Sequence, residues 1–222
     1  MSLILNIDTA TETAHVSIAK DGVVLKDMFN YEQKNHGGFL QPAIQKILNE
    51  AGVLMADIDA VAVTEGPGSY TGIRIGMASA KGLCFALDKP LITINTLEVM
   101  AKSALIQLNP PKEDLLCPMI DARRMEVFTA IYNCSIQNIF HPSAVIVERH
   151  SFETFLNNQN VHFFGSGSKK FQEIIKNQKA FFHDIKNISE AMNSLSVKKL
   201  NEKSFANTAY SEPLYIKEFY IK

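Results

Sequence analysis

Leu5-Asn6-Ile7-Asp8 near the start of the chain and Pro118-Met119-Ile120-Asp121 past its middle are the stretches that set the fold. In each, an apolar run ends in Ile-Asp, a short turn follows, and a second strand-like run returns. Ala14 and Ile18 match Val127 and Ile131 at the offset that relates Asp8 to Asp121. After the first stretch, residues 14–20 and 22–29 read as a hairpin about Asp21-Gly22, a dipeptide suited to a tight turn. Leu40, Ile44, Ile47, Leu48 and Ala51 have helical spacing across 39–51, and Gly52 stops the pattern. Residues 59–64 read as a buried strand, then come a Gly/Pro loop, a helix from Thr71 to Leu87, a strand at 91–94 and a helix at 96–107.

Pro110-Pro111-Lys112-Glu113-Asp114 is a polar break whose prolines cannot continue a helix. The second series follows it: strands 115–120, 126–132 and 143–149, a helix at 151–157, a strand at 161–165, and helices at 168–177 and 189–201, the last with Ser189 as a candidate cap. This reading divides the chain into an N-terminal lobe, 1–109, and a C-terminal lobe, 110–222, with the last helix and the apolar tail 213–222 docking back. Strand, hairpin, helix, strand, helix, given twice, is the layout of the actin-like (ribonuclease-H-like) α/β architecture. The expectation is two lobes, each a mixed β-sheet flanked by helices.

The 222 residues carry 22 Lys+Arg against 23 Asp+Glu, a formal charge of −1, with 46% apolar residues. That balance excludes a disordered chain and disfavours one that holds nucleic acid by charge alone. Cys84, Cys117 and Cys134 lie far apart without metal-ligand spacing, which suits reduced thiols in a cytoplasmic protein. Asp8 follows the first apolar residues closely, so no signal peptide is expected, and no apolar run approaches the ~20 residues of a membrane span.

Glu65-Gly66-Pro67-Gly68-Ser69-Tyr70-Thr71-Gly72-Ile73-Arg74-Ile75-Gly76 joins a strand to a helix. Its glycines permit tight conformations, Ser69 or Thr71 can cap the helix, and free N–H groups at such a start suit anions. It is neither a P-loop nor a G-x-G-x-x-G dinucleotide fingerprint. Gly72, Gly76 and Ala80 recur every four residues and leave one helix face nearly bare. That face suits close packing either on the chain's own sheet or on a helix of another subunit.

Asp8 stands where actin-like ATPases place an acid, but their first loop runs Asp-x-Gly-Thr and here reads Asp8-Thr9-Ala10-Thr11. A β-carbon at Ala10 crowds a phosphate, so hydrolysis is not expected and nucleotide binding, if any, is weak. The six histidines include no H-x-x-x-H pair, and Ser69 is not in a G-x-S-x-G elbow. Arg123 or Arg124, in the turn after Asp121, can hold a carboxylate or phosphate or simply close a salt-bridged turn.

These residues resemble the bacterial TsaB (YeaZ) family of tRNA threonylcarbamoyladenosine biosynthesis proteins. The likeness rests on Ile7 to Thr11, His36 to Pro42, Glu65 to Gly76, Lys81-Gly82-Leu83, Ile120 to Arg124 and Pro213 to Lys217. The glycine-rich string is its most specific part, and the match is loose from about 135 to 205. The resemblance implies an actin-like fold and a cytoplasmic, non-catalytic paralogue of TsaD, the subunit that transfers threonylcarbamoyl to a tRNA adenosine beside the anticodon. It implies a homodimer alone, pairing with TsaD through N-terminal helices, a third partner in the ATPase TsaE, and tRNA met only through the complex.

On that basis His36, Leu40, Ile44, Tyr70, Gly72, Ile73, Gly76 and Ala80 are candidate pairing residues. Asp8, Thr9, Thr11, Gly66, Gly68, Ser69, Asp121 and Arg123 are candidates for a remnant nucleotide or anion cleft. In the catalytic paralogue Asn-His-x-x-x-His holds metal; the corresponding stretch here is Asn95-Thr96-Leu97-Glu98-Val99-Met100. Thr96 and Met100 replace the histidines, so no metal and no catalysis are expected. The gap also counts against the protease activity suggested by the older label, glycoprotease or peptidase family M22. The alternative is an independent actin-like ATPase or small-molecule kinase.

Overall fold

The computed structural model describes residues 2–32 and 35–217. β1 (Leu3–Asp8) is buried along its whole length, as a strand covered on both faces must be. It pairs antiparallel with β2 (Ala14–Lys20), which pairs with β3 (Val23–Asn30) across the Asp21-Gly22 turn, where both residues take positive φ. α1 (His36–Ala51), β4 (Ala60–Gly66), α2 (Tyr70–Leu87) and β5 (Leu91–Asn95) follow. β4 runs parallel to β1 and β5 parallel to β4, so the sheet order is β3-β2-β1-β4-β5.

The chain then gives α3 (Thr96–Leu108), β6 (Leu115–Asp121), β7 (Glu126–Asn133), β8 (Asn138–Ile146), α4 (Glu153–Leu156), β9 (Val161–Phe164), α5 (Ser168–Gln172), β10 (Ala180–His183) and α6 (Ser189–Asn201). The second sheet, read from its hairpin side, is β8-β7-β6-β9-β10. β6 pairs antiparallel with β7 and parallel with β9, so order and sense repeat those of the first sheet. This is the duplicated actin-like (ribonuclease-H-like) α/β fold.

The repeat carries a one-residue slip. Asp8 lies opposite His15, but Asp121 lies opposite Val127, because the second turn is shorter. Val127 is thus the register equivalent of His15, which corrects the match to Ala14.

The chain divides into two compact units. The first runs to Thr96 and resumes from Ile188 to Leu214; the second runs from Leu97 to Asn187 and resumes at Tyr215. The break expected at 110–114 falls instead inside the second unit, because Leu97, Ala101 and Ala104 of α3 pack with Leu116, Ala130, Tyr132 and Phe164. The other face of that sheet gathers Cys117, Met119, Val127, Phe163 and Phe171. In the first unit α1 and α2 cover Leu5, Ile7, Val16, Val61 and Val63.

Three local expectations change. β8 begins at Asn138, since Asn133 closes a short turn with Gln137. The helix expected at 168–177 ends at Gln172, and β10 follows unannounced. Ser189 is the first residue of α6 and Ile188 holds the cap position; the Ser189 hydroxyl donates to Asp27 Oδ2 (2.6 Å) and accepts from His15 Nε2 (2.8 Å), fastening α6 onto β2 and β3. Beyond α6 a strap crosses the first unit. Ala206 bridges to Leu91, Lys81 Nζ donates to the carbonyls of Ala209 and Ser211, and the Leu214 amide donates to the Glu65 carbonyl. The last five residues of the tail expected at 213–222 lie outside the described residues.

Candidate functional site

The glycine-rich loop and the first turn are built against each other. The carboxylate of Asp8, 2% exposed, accepts from the Ala10 amide (2.8 Å) and the Thr64 hydroxyl (2.7 Å) through one oxygen. Burial pushes this carboxyl above its ordinary range, against those two hydrogen bonds and the nearby His36. Thr9 donates to the Gly72 carbonyl (2.7 Å), and the Ser69 amide donates to the Ala10 carbonyl (2.7 Å). Ser69 also caps α2, accepting from the Gly72 amide.

The glycines serve this contact. A β-carbon at Gly68 would stand 2.0 Å from the Ala10 carbonyl oxygen, and one at Gly72 2.0 Å from that of Thr9. Gly66 (φ 115°) meets the backbone of Leu214 in the same way. The structure therefore brings Asp8, Thr9, Gly66, Gly68 and Ser69 together, and the chain's own backbone occupies their close approaches. Thr11 flanks them, its carbonyl accepting from His36 Nε2 at 2.9 Å.

Gly76 and Ala80 also face inward. A β-carbon at Gly76 would lie 2.4 Å from Thr9 Oγ1 and 3.4 Å from Val63. The bare stripe of α2 thus accommodates its own sheet, which corrects the expectation that Gly72, Gly76 and Ala80 receive a partner helix. His36, Leu40, Ile44 and Ile73 are buried as well, so their side chains are not presented either. Of the eight candidate pairing residues only Tyr70 is half-exposed, with the Arg74 guanidinium 4.0 Å above its ring.

The outward face of α2 carries Thr71, Arg74, Ala78, Gly82, Phe85 and Ala86, with Phe85 87% exposed. Gln41 of α1 donates to Ser79 beside it. Sequence reading missed Phe85, although helical spacing from Gly72, Gly76 and Ala80 places it on the opposite side.

Asp121 and Arg123 belong to the second unit. Asp121 Oδ1 accepts from Lys170 Nζ (2.9 Å) and from the Arg123 amide (2.6 Å). Burial acts to raise this carboxyl, but those two bonds and the Lys170 charge hold it below its ordinary range. The same unit contains a chain no motif announced: His162 Nε2 donates to Asp114 Oδ2 (2.8 Å), and His162 Nδ1 is hydrogen-bonded to His183 Nε2 (2.8 Å). Among the described residues no group of three His, Cys, Asp or Glu side chains is placed to hold a metal ion. Nor is any described helix long and apolar enough to cross a membrane.

Fold and site together define a duplicated actin-like protein whose first loop is closed on a glycine-rich helix start. The family model for TsaD, tRNA N6-adenosine threonylcarbamoyltransferase, matches residues 24–217, and the chain belongs to that family, on its TsaB/YeaZ branch. The tRNA threonylcarbamoyladenosine biosynthesis protein TsaB of Bacillus subtilis is 35% identical over 129 residues, 58% of this chain and 54% of its own. TsaB of Escherichia coli is 38% identical over 138 residues, 62% of this chain and 58% of its own. The matches thus span little more than half of those relatives. A Pseudomonas aeruginosa protein described as similar to peptidase YEAZ superposes with a TM-score of 0.83 at 24% identity, covering 98% of this chain and all of that one, a likeness of fold.

Proposed function

We propose that this chain is a non-catalytic subunit in the formation of threonylcarbamoyladenosine on tRNA, acting by pairing with a TsaD-type transferase through the outward face of α2 and the adjoining rim of α1. The observation that carries this reading is Phe85, an aromatic ring 87% exposed on a helix face whose other residues are Thr71, Arg74, Ala78, Gly82 and Ala86. A large apolar side chain in such a setting suits an anchor for another protein. The filled first loop supports the non-catalytic part: Asp8, Thr9 and the Ala10 amide are committed to the chain itself. So do Thr96 and Met100, which offer no imidazole where the transferase resemblance asks for metal ligands. On this reading a TsaE-type ATPase joins the pair and the isolated chain forms a homodimer.

The test is reconstitution. Threonylcarbamoyladenosine formation on unmodified tRNA is measured with the transferase, the ATPase and the threonylcarbamoyl donor, with and without this chain. Formation that depends on the chain supports the reading; equal formation without it contradicts the reading.

A further inference from the structure

The connection between β6 and β7 places two arginines in costly backbone. Arg123 (φ 69°) and Arg124 (φ 46°) are consecutive non-glycine residues in the left-handed region, where glycine or asparagine is cheaper. The tip is tightly built. The Arg123 amide donates to Asp121, the Ala122 amide to the Glu126 carbonyl, the Glu126 amide to the Arg123 carbonyl, and the Val147 amide to the Met125 carbonyl.

The two acids that flank the turn are already committed: Asp121 pairs with Lys170, and Glu126 pairs with Lys217. Arg123, Arg124 and Met125 are exposed, and among the described residues neither guanidinium has an acid partner. Lys169 is exposed next to Lys170. A local cationic excess therefore stands on a rigid loop tip in a chain of net charge −1.

We infer that the Arg123-Arg124 tip contacts the phosphodiester backbone of RNA. Three consecutive exposed residues on a tip lack the enclosure that a free nucleotide's base and ribose take. Exposed guanidiniums fit a polyanion one phosphate at a time. The choice of RNA rests on the tRNA-modification role proposed above.

The test is binding of an unmodified tRNA transcript, by this chain alone and by its complex with the transferase, between about 50 and about 200 mM salt. Arg123→Ala with Arg124→Ala should lower the slope of log K against log salt by about 1 to 2 and weaken low-salt binding about tenfold. Arg123→Asn with Arg124→Gly should lose binding equally while its melting temperature stays level or rises, because that pair tolerates the left-handed region. Arg123→Lys with Arg124→Lys should keep most of the slope.

Unchanged affinity and slope in the first two double variants overturn the inference. So does the absence of tRNA binding by the wild type in both forms, and so does a requirement for the arginines in transferase pairing but not in tRNA binding. If the chain still pairs and supports modification while the variants bind tRNA normally, this inference fails and the partner reading stands.

Discussion

Burial holds the His15 imidazole down from its ordinary 6.5 to about 4, partly opposed by the charge of Asp27. The fold therefore contains a neutral His15, and the unfolded chain takes up the proton first as pH falls. The stability this group contributes is complete above pH 6.5 and is lost as pH drops from there towards 4. At pH 5 the loss is about 2 kcal/mol. Unfolding free energies from urea titrations at pH 7.5 and pH 5 should differ by that amount in the wild type and by much less in His15→Gln. Asp8 presents the opposite sign: its carboxyl is pushed up by burial, so the charged form weighs against the fold above that range. Asp8→Asn keeps an oxygen for the Ala10 amide and the Thr64 hydroxyl, and thermal melting at neutral pH should show equal or greater stability. A marked fall in melting temperature would show that the charge itself is structural. Asp8 was legible in the sequence, because a strand ending in Ile-Asp before a turn marks its own end. The partnership of His15 with Ser189 was not, since 174 residues separate them and neither carries a local signature of the contact.

At the scale of elements, α2 shows what spacing can and cannot say. Gly72, Gly76 and Ala80 announce that a backbone comes close, but the pattern is the same whether it belongs to the sheet beneath or to another molecule. The distances to Thr9 and Val63 decide for the sheet. Gly76→Ala should therefore cost about 1–3 kcal/mol through overpacking, and Gly76→Leu should abolish the folded circular dichroism spectrum. Gly82 has nothing within 4 Å of its would-be β-carbon, so Gly82→Ala should stabilise the helix by about 0.5–1 kcal/mol. Thermal melts of the three variants check these opposite signs. The duplicated strand order was readable because each half repeats one sequence of apolar runs and turns. β10 was not, because Ala180–His183 gives too short a run to show a period, and the one-residue slip hides in a turn whose length no motif fixes.

For the whole molecule, the opposed surfaces of α2 set what each substitution can report. The inward surface holds the first unit together, so variants there cannot test association without disturbing the fold. Phe85 is 87% exposed, and replacing it should move stability by no more than about 0.5 kcal/mol. The balanced charge of −1 agrees with a subunit whose main contact is another protein, with the Arg123-Arg124 tip as a local exception. The most direct test is size-exclusion chromatography with light scattering on mixtures of a TsaD-type transferase with the wild type or Phe85→Glu. Pairing through the outward face of α2 predicts that the wild type co-elutes with the transferase, while Phe85→Glu elutes apart from it and melts at the wild-type temperature. Undiminished co-elution of Phe85→Glu, or a wild type that never co-elutes, would contradict it.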